Sequence, residues 1–265
     1  MALFLSQRWN RQPSGSTQLS PNSNATNGLV FACLPGQSGM QYPNGQMPTR
    51  NTGFSTVPTT AGMAMNLSAV ASAGLQYGVL QPIPANSNAF SLLGIGSTVG
   101  SRGAFYTQVY GVSPYPTVEF GINVGTGGTY TPNAFAYYFL DYNGGVLSGA
   151  ASTAFNDGKM HVVIGVRPAA TAAQIYVDGV NATASTAGAL TTNSGSALQQ
   201  VCVGNAAMYT PTDRIYLAPI SLVVVWNRVL SAGEISSLGQ NPWQLFAPIK
   251  PVIYNFPSLR VGGRL

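Results

Sequence analysis

Short apolar runs alternate with turn-forming residues from residue 28 to about residue 239. The runs are rich in Val, Ile, Tyr, Phe and Thr, and clusters of Gly, Pro and Asn separate them, which is typical of short β-strands. Strands do not alternate with helical patterns, which argues against a parallel sheet. The pattern predicts an all-β fold, a two-sheet antiparallel jelly-roll sandwich. The predicted strands cover residues 28–34, 88–96, 103–112, 117–125, 133–142, 159–167, 172–179, 198–205 and 214–227.

Two dipeptides, Asn143-Gly144 and Asp178-Gly179, predict hairpin turns. A type I′ turn needs positive φ at both central residues, and these residue types adopt that conformation readily.

One short helix is predicted in "NRVLSAGEISSL". Ser231 is the expected N-cap, and Glu234 completes a capping box three residues later. Ile235 and Leu238 form one apolar stripe, and Pro242 follows the end of the helix.

The two ends of the chain differ from its middle. Residues 1–27 are rich in Ser, Asn and Pro and predict an extended N-terminal arm, and residues 28–239 hold the sandwich. Residues 240–265 contain four prolines, which exclude a helix, together with several large aromatic side chains. We therefore expect this C-terminal tail to pack on its own domain or on a neighbour.

Only 6% of the 265 residues are charged, and 45% are hydrophobic. An uncharged polar surface suits a permanent assembly or an extracellular protein. The net charge of +5 comes from 11 basic and 6 acidic residues without a basic cluster, which argues against nucleic-acid binding. No apolar run reaches the roughly 18 residues of a membrane helix. The opening "MALFLSQRWNRQP" lacks the features of a signal peptide, so we expect no Sec export.

Few residues in the sequence are suited to catalysis or metal binding. Cys33 and Cys202 lie in apolar runs and are interpreted as reduced core residues, although a disulfide stays open. Their spacing does not match a zinc site. The six carboxylates form no close pair suited to glycoside hydrolysis and no calcium motif. They are Glu119, Asp141, Asp157, Asp178, Asp213 and Glu234. We expect no catalytic residue, metal or cofactor.

The single histidine, His161, lies in the predicted strand 159–167. Alternation places Met160, Val162, Ile164 and Val166 on the core face and His161 on the opposite face. A catalytic histidine needs an orienting carboxylate and a nucleophile. The nearby aspartates occupy turns, where Asp commonly bonds its own backbone, and there is no G-x-S-x-G motif. A structural role or a contact with a partner is therefore expected.

The segments "DGKMHVVIGV", "QIYVDG" and "RIYLAPISLVVVWNRVLSAGEISSL" resemble the laminin G-like branch of the concanavalin A-like jelly rolls. The resemblance is strong over residues 150–239 and extends to residues 28–150 only by strand pattern. Met160 stands where that family usually has Trp. The matching residues are Asp157, Gly158, His161, Tyr176, Val177, Asp178, Gly179, Trp226, Asn227, Arg228, Leu230, Ser231, Glu234 and Ile235.

The string "NPWQLFAP" and an opening of the type "W…QP…GLVFA" resemble laminin G-like proteins of tailed bacteriophages. This resemblance implies a virion protein assembled in the host cytoplasm. We expect a capsid decoration or cement protein, or a tail accessory protein, that forms homo-oligomers and contacts the major capsid or tail protein. The expected assembly contacts are Arg8, Trp9, Arg11, Trp243, Phe246, Tyr254, Phe256, Arg260 and Arg264. Both arms folding back on their own sandwich is the alternative.

A second function is a glycan-binding adhesin on the virion surface, because sugars stack on exposed aromatic rings. Tyr offers amphipathic contact area at a low entropic cost. The expected host-glycan contacts are Tyr110, Tyr115 and Tyr209.

Overall fold

The computed structural model describes residues 12–13, 16–37, 39–67, 73–78, 80, 82–83, 89–97, 103–110, 118–122, 134–140, 146–155, 157–169, 172–187, 198–205 and 216–249. In these residues the chain forms a sandwich of two antiparallel sheets with one short helix, so the predicted fold class is confirmed. In the same part of the chain no helix has the length and apolar character needed to cross a membrane.

One sheet has eight strands within the described residues. In spatial order they are Thr183–Ala187 (β16), Val146–Ala154 (β12), Ala134–Leu140 (β11), Val118–Ile122 (β10), Gly103–Tyr110 (β9), Leu198–Val203 (β17), Gly74–Tyr77 (β7) and Arg50–Thr52 (β4). The turn at Asn143-Gly144 lies outside the described residues, but the strands on either side of it, β11 and β12, pair antiparallel.

The facing sheet has nine strands in the part of the chain that the structure describes. Seven follow one another in the order Val180–Asn181 (β15), Gln174–Val177 (β14), Met160–Arg167 (β13), Phe90–Ser97 (β8), Ile220–Trp226 (β18), Leu29–Cys33 (β2) and Gln41–Tyr42 (β3). The hairpin of Phe54–Thr59 (β5) and Gly62–Leu67 (β6) joins this sheet through β18.

A small third sheet joins the two ends of the described chain. Thr17–Leu19 (β1) pairs antiparallel with Phe246–Pro248 (β19). The helix Ala232–Gln240 (α1) and the 3₁₀ turns Asn24–Thr26 and Pro242–Leu245 lie next to these strands in sequence. The prolines of the tail do not prevent the second 3₁₀ turn, because Pro242 occupies its first position, where no backbone N–H is needed.

The nine predicted strands all occur, with somewhat different bounds. The turn at Asp178-Gly179 is confirmed, with φ of 52° and 82° at its two residues. The capping box is confirmed as well: the Ser231 hydroxyl accepts from the N–H of Glu234, whose carboxylate accepts from the N–H of Ser231 at 2.8 Å. The patterns did not predict the other strands, among them β7, β12, β16 and the hairpin of β5 and β6.

The main core lies between the two sheets and is built largely from aromatic and β-branched side chains. A second core lies on the other side of the nine-stranded sheet, under α1 and the segments near the two ends. Both faces of β13 are therefore covered, which corrects the expectation of one core face. Val163 faces the main core, whereas Ile164 and Val166 face the second core. The pattern could not show that α1 and the terminal strands cover the second face.

Candidate functional site

A groove of about 1060 Å³ lies between the small sheet of β1 and β19, the strand β3 and the tip of the β5–β6 hairpin. We call it the terminal groove. Four separate parts of the chain line it, and none of the lining side chains carries a charge. The lining residues are Gln12, Pro13, Ser16, Thr17, Gln37, Met40, Tyr42, Pro58, Thr59, Thr60, Gly62, Met63 and Ile249.

Gln12 closes one side of the terminal groove, because its side-chain amide bonds the backbone of Met63 as a neighbouring strand would. Its side-chain amide donates to the carbonyl oxygen of Met63 at 3.2 Å, and its Oε1 accepts from the Met63 N–H at 2.5 Å. Gly62 is required beside it, because its φ is +106° and an added Cβ would lie 2.5 Å from Gln12. The Gln37 amide donates to the carbonyl oxygen of Pro13 at 2.9 Å and holds the same segment.

Tyr42 ties the terminal sheet that lines the groove to the sandwich. Its hydroxyl donates to the carbonyl oxygen of Thr17 at 3.1 Å and lies 2.9 Å from the Thr17 hydroxyl. Its ring packs edge to face against Phe246, with centroids 5.6 Å apart. The small terminal sheet is therefore fixed to β3 by both polar and apolar contacts.

Two large apolar side chains of the terminal groove are open to solvent. Met63 is 38% exposed and Ile249 is 50% exposed. Ile249 is also the last described residue, and its backbone N–H donates to Ser16. Exposed apolar side chains gathered in one concave surface are typical of binding sites.

The residues expected to make assembly contacts divide into two groups. Trp243 and Phe246 are 2% and 1% exposed and belong to the second core, so both rings pack on the protein's own sandwich. The remaining ones lie outside the described residues: Arg8, Trp9, Arg11, Tyr254, Phe256, Arg260 and Arg264.

Two residues that match the laminin G-like pattern, Trp226 and Arg228, bind the N-terminal part of the described chain. Trp226 is fully buried, and its indole Nε1 donates to the carbonyl oxygen of Ala25 at 2.6 Å. Arg228 donates from Nε to Asn27 at 2.7 Å and binds Glu234 through two nitrogens at 2.6 and 2.9 Å. These contacts bind the N-terminal segment to β18 and α1.

The outer face of the eight-stranded sheet carries a row of polar residues. Register and alternation place Tyr138, Glu119, Thr107, Cys202 and Gln76 side by side on the face away from the main core. Glu119 and Thr107 are fully buried. Burial, followed by the negative charge of Glu119, raises the pKa of the Tyr138 hydroxyl. This is a buried polar centre on the face opposite to the main core.

The tyrosines expected to contact glycans lie mostly outside the described part of the chain. Tyr110 ends β9 and pairs in register with Leu198, but its side chain is not described. Tyr115 and Tyr209 lie outside the described residues. Their role as glycan contacts stays a prediction.

His161 is bound by two carboxylates, which corrects the expectation that both aspartates only stabilise turns. Its Nδ1 lies 2.7 Å from Oδ2 of Asp178, and its Nε2 lies 3.0 Å from Oδ1 of Asp157. The ring is 7% exposed and packs edge to face against Phe135 and Phe155. The aspartates also bond backbone N–H groups, Asp157 to Lys159 and Asp178 across the strands to β13.

This arrangement favours the doubly protonated imidazolium, because only that form donates to both carboxylates. The hydrogen bond to Asp178 is the main cause that raises the pKa of His161, and burial opposes it. The hydrogen bond from the Lys159 N–H, followed by that from His161, lowers the pKa of Asp157 to about 2. The cluster joins the turn before β13 to the turn after β14.

Four of the six carboxylates belong to the described residues. Asp157 and Asp178 bind His161, Glu234 binds Arg228, and Glu119 lies on the eight-stranded sheet. Glu119 is thus the one described carboxylate on that sheet, where a glycosidase of the expected kind would carry a pair. Within the described residues no group of three or more His, Cys, Asp or Glu is arranged to hold a metal ion.

The two cysteines are buried and do not form a disulfide. The Cys33 sulfur lies 2.9 Å from the Tyr77 hydroxyl, and burial raises the pKa of the thiol to about 12. A thiol with this pKa is a poor nucleophile at neutral pH.

Solved structures share this fold at low sequence identity. The binding domain of Paraclostridial Mosquitocidal Protein 1 matches with a TM-score of 0.57 and 9% identity, over 81% of this chain and 52% of that domain. The receptor-binding domain of botulinum neurotoxin type G matches with a TM-score of 0.52 and 10% identity, over 80% of this chain and 51% of that domain. This chain therefore spans about half the length of these two domains.

A third structure is matched over nearly its full length. Domain 4 of AbnA, a GH43 extracellular arabinanase from Geobacillus stearothermophilus in complex with arabinotriose, gives a TM-score of 0.52 at 12% identity, over 80% of this chain and 98% of that domain. At these identities the likeness shows the fold alone. No match was found among curated proteins.

The family model described as the concanavalin A-like lectin/glucanases superfamily, of the laminin G type, matches residues 85–236. The match covers more than half of the chain, and the two-sheet sandwich agrees with it. The chain belongs to the laminin G-like family of the concanavalin A-like lectin/glucanases superfamily.

Proposed function

We propose that the protein is a structural component of a bacteriophage particle, a capsid decoration protein or a tail accessory protein. It acts by protein–protein contacts with the major capsid or tail protein and not by catalysis. The observation that carries the proposal is the meeting of both ends of the described chain at the terminal groove, where Gln12 and Ile249 lie. Residues 1–11 and 250–265 continue from this place, so one region of the surface presents both terminal segments.

The distribution of charge supports attachment through these segments. Residues 12–249 hold six basic and six acidic residues and are neutral overall. The whole net charge of +5 is carried by Arg8, Arg11, Lys250, Arg260 and Arg264. Positive segments on a neutral domain are attracted to an acidic surface, and salt weakens that attraction.

The bacteriophage context is supported by the resemblance of the terminal strings to laminin G-like phage proteins. The contacts of Trp226 and Arg228 bind the N-terminal segment to β18 and α1. A stable base of this kind suits terminal segments that make contacts elsewhere. Many copies on a particle would bind cooperatively through symmetry, as homo-oligomers do.

Mass spectrometry and co-sedimentation test this function. Peptides of the chain are expected in purified particles of the phage that encodes it, and the full-length protein is expected to sediment with isolated heads or isolated tails. Replacing Arg260 and Arg264 by Gln should weaken binding roughly tenfold at low salt and much less at high salt. The control is Lys159→Gln, which removes an exposed charge from the sandwich. Absence of the chain from particles, or no sedimentation with either part, would contradict the proposal.

Glycan binding is a second candidate function, favoured by one observation. Tyr110 ends β9, one of the strands of the eight-stranded sheet whose outer face carries the polar row, and Tyr115 follows it by five residues. Saturable binding to a host polysaccharide that is lost in Tyr115→Ala and retained in Tyr176→Phe would favour this function. No binding to host polysaccharide would leave assembly as the better account.

A further inference from the structure

The chemistry of the terminal groove restricts what can fill it. Its lining side chains are uncharged and include methionine, proline, tyrosine and isoleucine together with amides and hydroxyls. A charged occupant would lose hydration without gaining an ion pair. An extended, uncharged peptide with alternating apolar side chains matches such walls.

Two segments of the chain lie close to the terminal groove in sequence. The N-terminal segment reaches Gln12 through "RWNR" at residues 8–11, which brings two positive charges next to the groove. The C-terminal segment leaves from Ile249, and after Lys250 it runs uncharged for nine residues, "PVIYNFPSL" at 251–259. The C-terminal stretch has the chemistry that the groove accepts, and the N-terminal stretch nearest the groove does not.

We propose that the terminal groove is the docking site for the protein's own C-terminal segment, residues 251–259. Extended backbone covers about 3.3 Å per residue, so the stretch spans roughly 30 Å and can run along the groove from Ile249. Pro251 and Pro257 favour an extended conformation and reduce the entropy lost on docking. Val252, Tyr254 and Phe256 alternate along the extended stretch and supply the apolar side chains that meet Met63 and Ile249.

Residues 251–259 of the same chain are favoured over those of a second copy, because a short connection joins them to Ile249 in the groove wall. A single residue, Lys250, joins the stretch to a residue of the groove wall. A short link gives an effective concentration of the order of millimolar, which is far above that of a second copy in dilute solution. Docking is expected in the isolated protein and does not require the phage particle. In a particle, contacts made by residues 251–259 would first require their release from the groove.

Limited proteolysis of the full-length protein tests the docking. Chymotrypsin cleaves after Tyr254, and it also cleaves after Phe4 and Trp9 in the N-terminal segment. Cleavage of a docked segment follows the fraction of time that it is released. Met63→Glu puts a charge in the groove, so cleavage after Tyr254 should become at least about tenfold faster than in the unmodified protein. Mass spectrometry of the released peptides gives the rate at each site.

Met47→Glu is the matched control. Met47 is 53% exposed and does not line the groove, so its substitution should leave the rate after Tyr254 unchanged. Thr60→Glu is a second groove variant at an exposed turn position, where a charge is tolerated by the fold. It should accelerate the same cleavage, which excludes an effect of Met63→Glu on β6 alone.

The cleavage rates show which segment occupies the terminal groove. Equal rates after Tyr254 in the unmodified protein and both groove variants would overturn the proposal. Faster cleavage after Trp9 in place of Tyr254 would assign the groove to the N-terminal segment and overturn it as well. Protection of Tyr254 that increases between 1 and 100 µM protein (about the range of ordinary assays) would assign the groove to the segment of a second copy. Protection independent of concentration is the expected result.

Discussion

The backbone N–H of Ile249 donates to the carbonyl oxygen of Ser16 at 3.1 Å, so the two ends of the described chain run side by side. The same pairing continues in β1 and β19. Gln12, a few residues earlier, bonds the backbone of Met63 on the hairpin of β5 and β6. The ends of the described chain, far apart in sequence, thus form one surface with the hairpin tip.

Trp226→Phe should destabilise the packing of the N-terminal segment around Ala25 on β18. The substitution leaves the buried carbonyl oxygen of Ala25 without its indole donor and leaves a small void. We expect a loss of about 2–4 kcal/mol in the free energy of unfolding. Urea denaturation measures it, and hydrogen exchange should show faster exchange at Thr26 and Asn27 than in the unmodified protein. Unchanged exchange at these amides would contradict the assigned role of Trp226.

Ser231→Ala should weaken α1 by removing its N-cap. The hydroxyl that accepts from the Glu234 N–H is lost, and we expect a cost of about 1 kcal/mol. The matched control is Ser236→Ala, at an exposed position inside the same helix, which should be neutral or stabilise slightly because Ala has the higher helix propensity. Equal losses in both variants would show that the cap is not the cause.

His161 should make stability depend on pH. Its pKa in the folded protein is raised above its usual value of 6.5, so the stabilisation is complete below that value and is lost as pH rises through the folded pKa. His161 is the single histidine in the sequence, so His161→Gln should remove this dependence in the range above pH 6.5. Denaturation midpoints measured across that range check it. A slope that persists in His161→Gln would exclude the imidazolium as its source.

Asp157 should make stability depend on pH in the opposite direction. Its pKa is lowered to about 2, so its contribution is present above the unfolded value of 3.8 and is lost as pH falls toward 2. Asp157→Asn should therefore reduce the acid sensitivity of the protein in that window, while also lowering the pKa of His161. Nuclear magnetic resonance titration of the imidazole protons measures the second effect, and an unchanged His161 pKa would contradict the contact.

Gly165→Ala should destabilise the main core. An added Cβ would lie 2.5 Å from Cδ1 of Tyr137, a ring buried between the sheets, and overpacking of this kind costs about 1–3 kcal/mol. Gly233→Ala is the matched control, because nothing lies within 4 Å of its added Cβ and α1 gains helix propensity. Thermal denaturation should show a lower Tm for the first variant and an equal or higher Tm for the second.

Features that depend on neighbouring residues in the sequence could be predicted, and the capping box of Ser231 and Glu234 and the turn at Asp178-Gly179 are examples. The strand β12 could not, because its sequence "VLSGAASTA" is mostly small residues with low strand propensity. Its Gly149 is required by the sheet, since an added Cβ would lie 2.6 Å from the ring of Tyr138 on the adjacent strand. This reason for a glycine at position 149 is apparent only once the pairing of β12 with β11 is known.

The terminal groove could not be predicted from the sequence for a related reason. The terminal groove brings together residues 12–13, 16–17, 40–42, 58–63 and Ile249, and no local pattern connects these segments. Likewise, Asp178 looks like an ordinary turn residue until pairing of β13 with β14 brings it to His161, which also binds Asp157 from the turn before β13. The terminal arms could be recognised as apolar and basic, but the packing of Trp243 and Phe246 on the second core depends on α1 and β1.

The central claim is that this lectin-like sandwich works by attachment through the surface where its two terminal segments leave. A cryo-EM map of the particle that carries the chain tests it most directly. We expect the terminal groove, with residues 1–11 or 250–265, to face a capsid or tail protein. Contacts made instead through the outer face of the eight-stranded sheet, with the terminal groove turned to solvent, would contradict it.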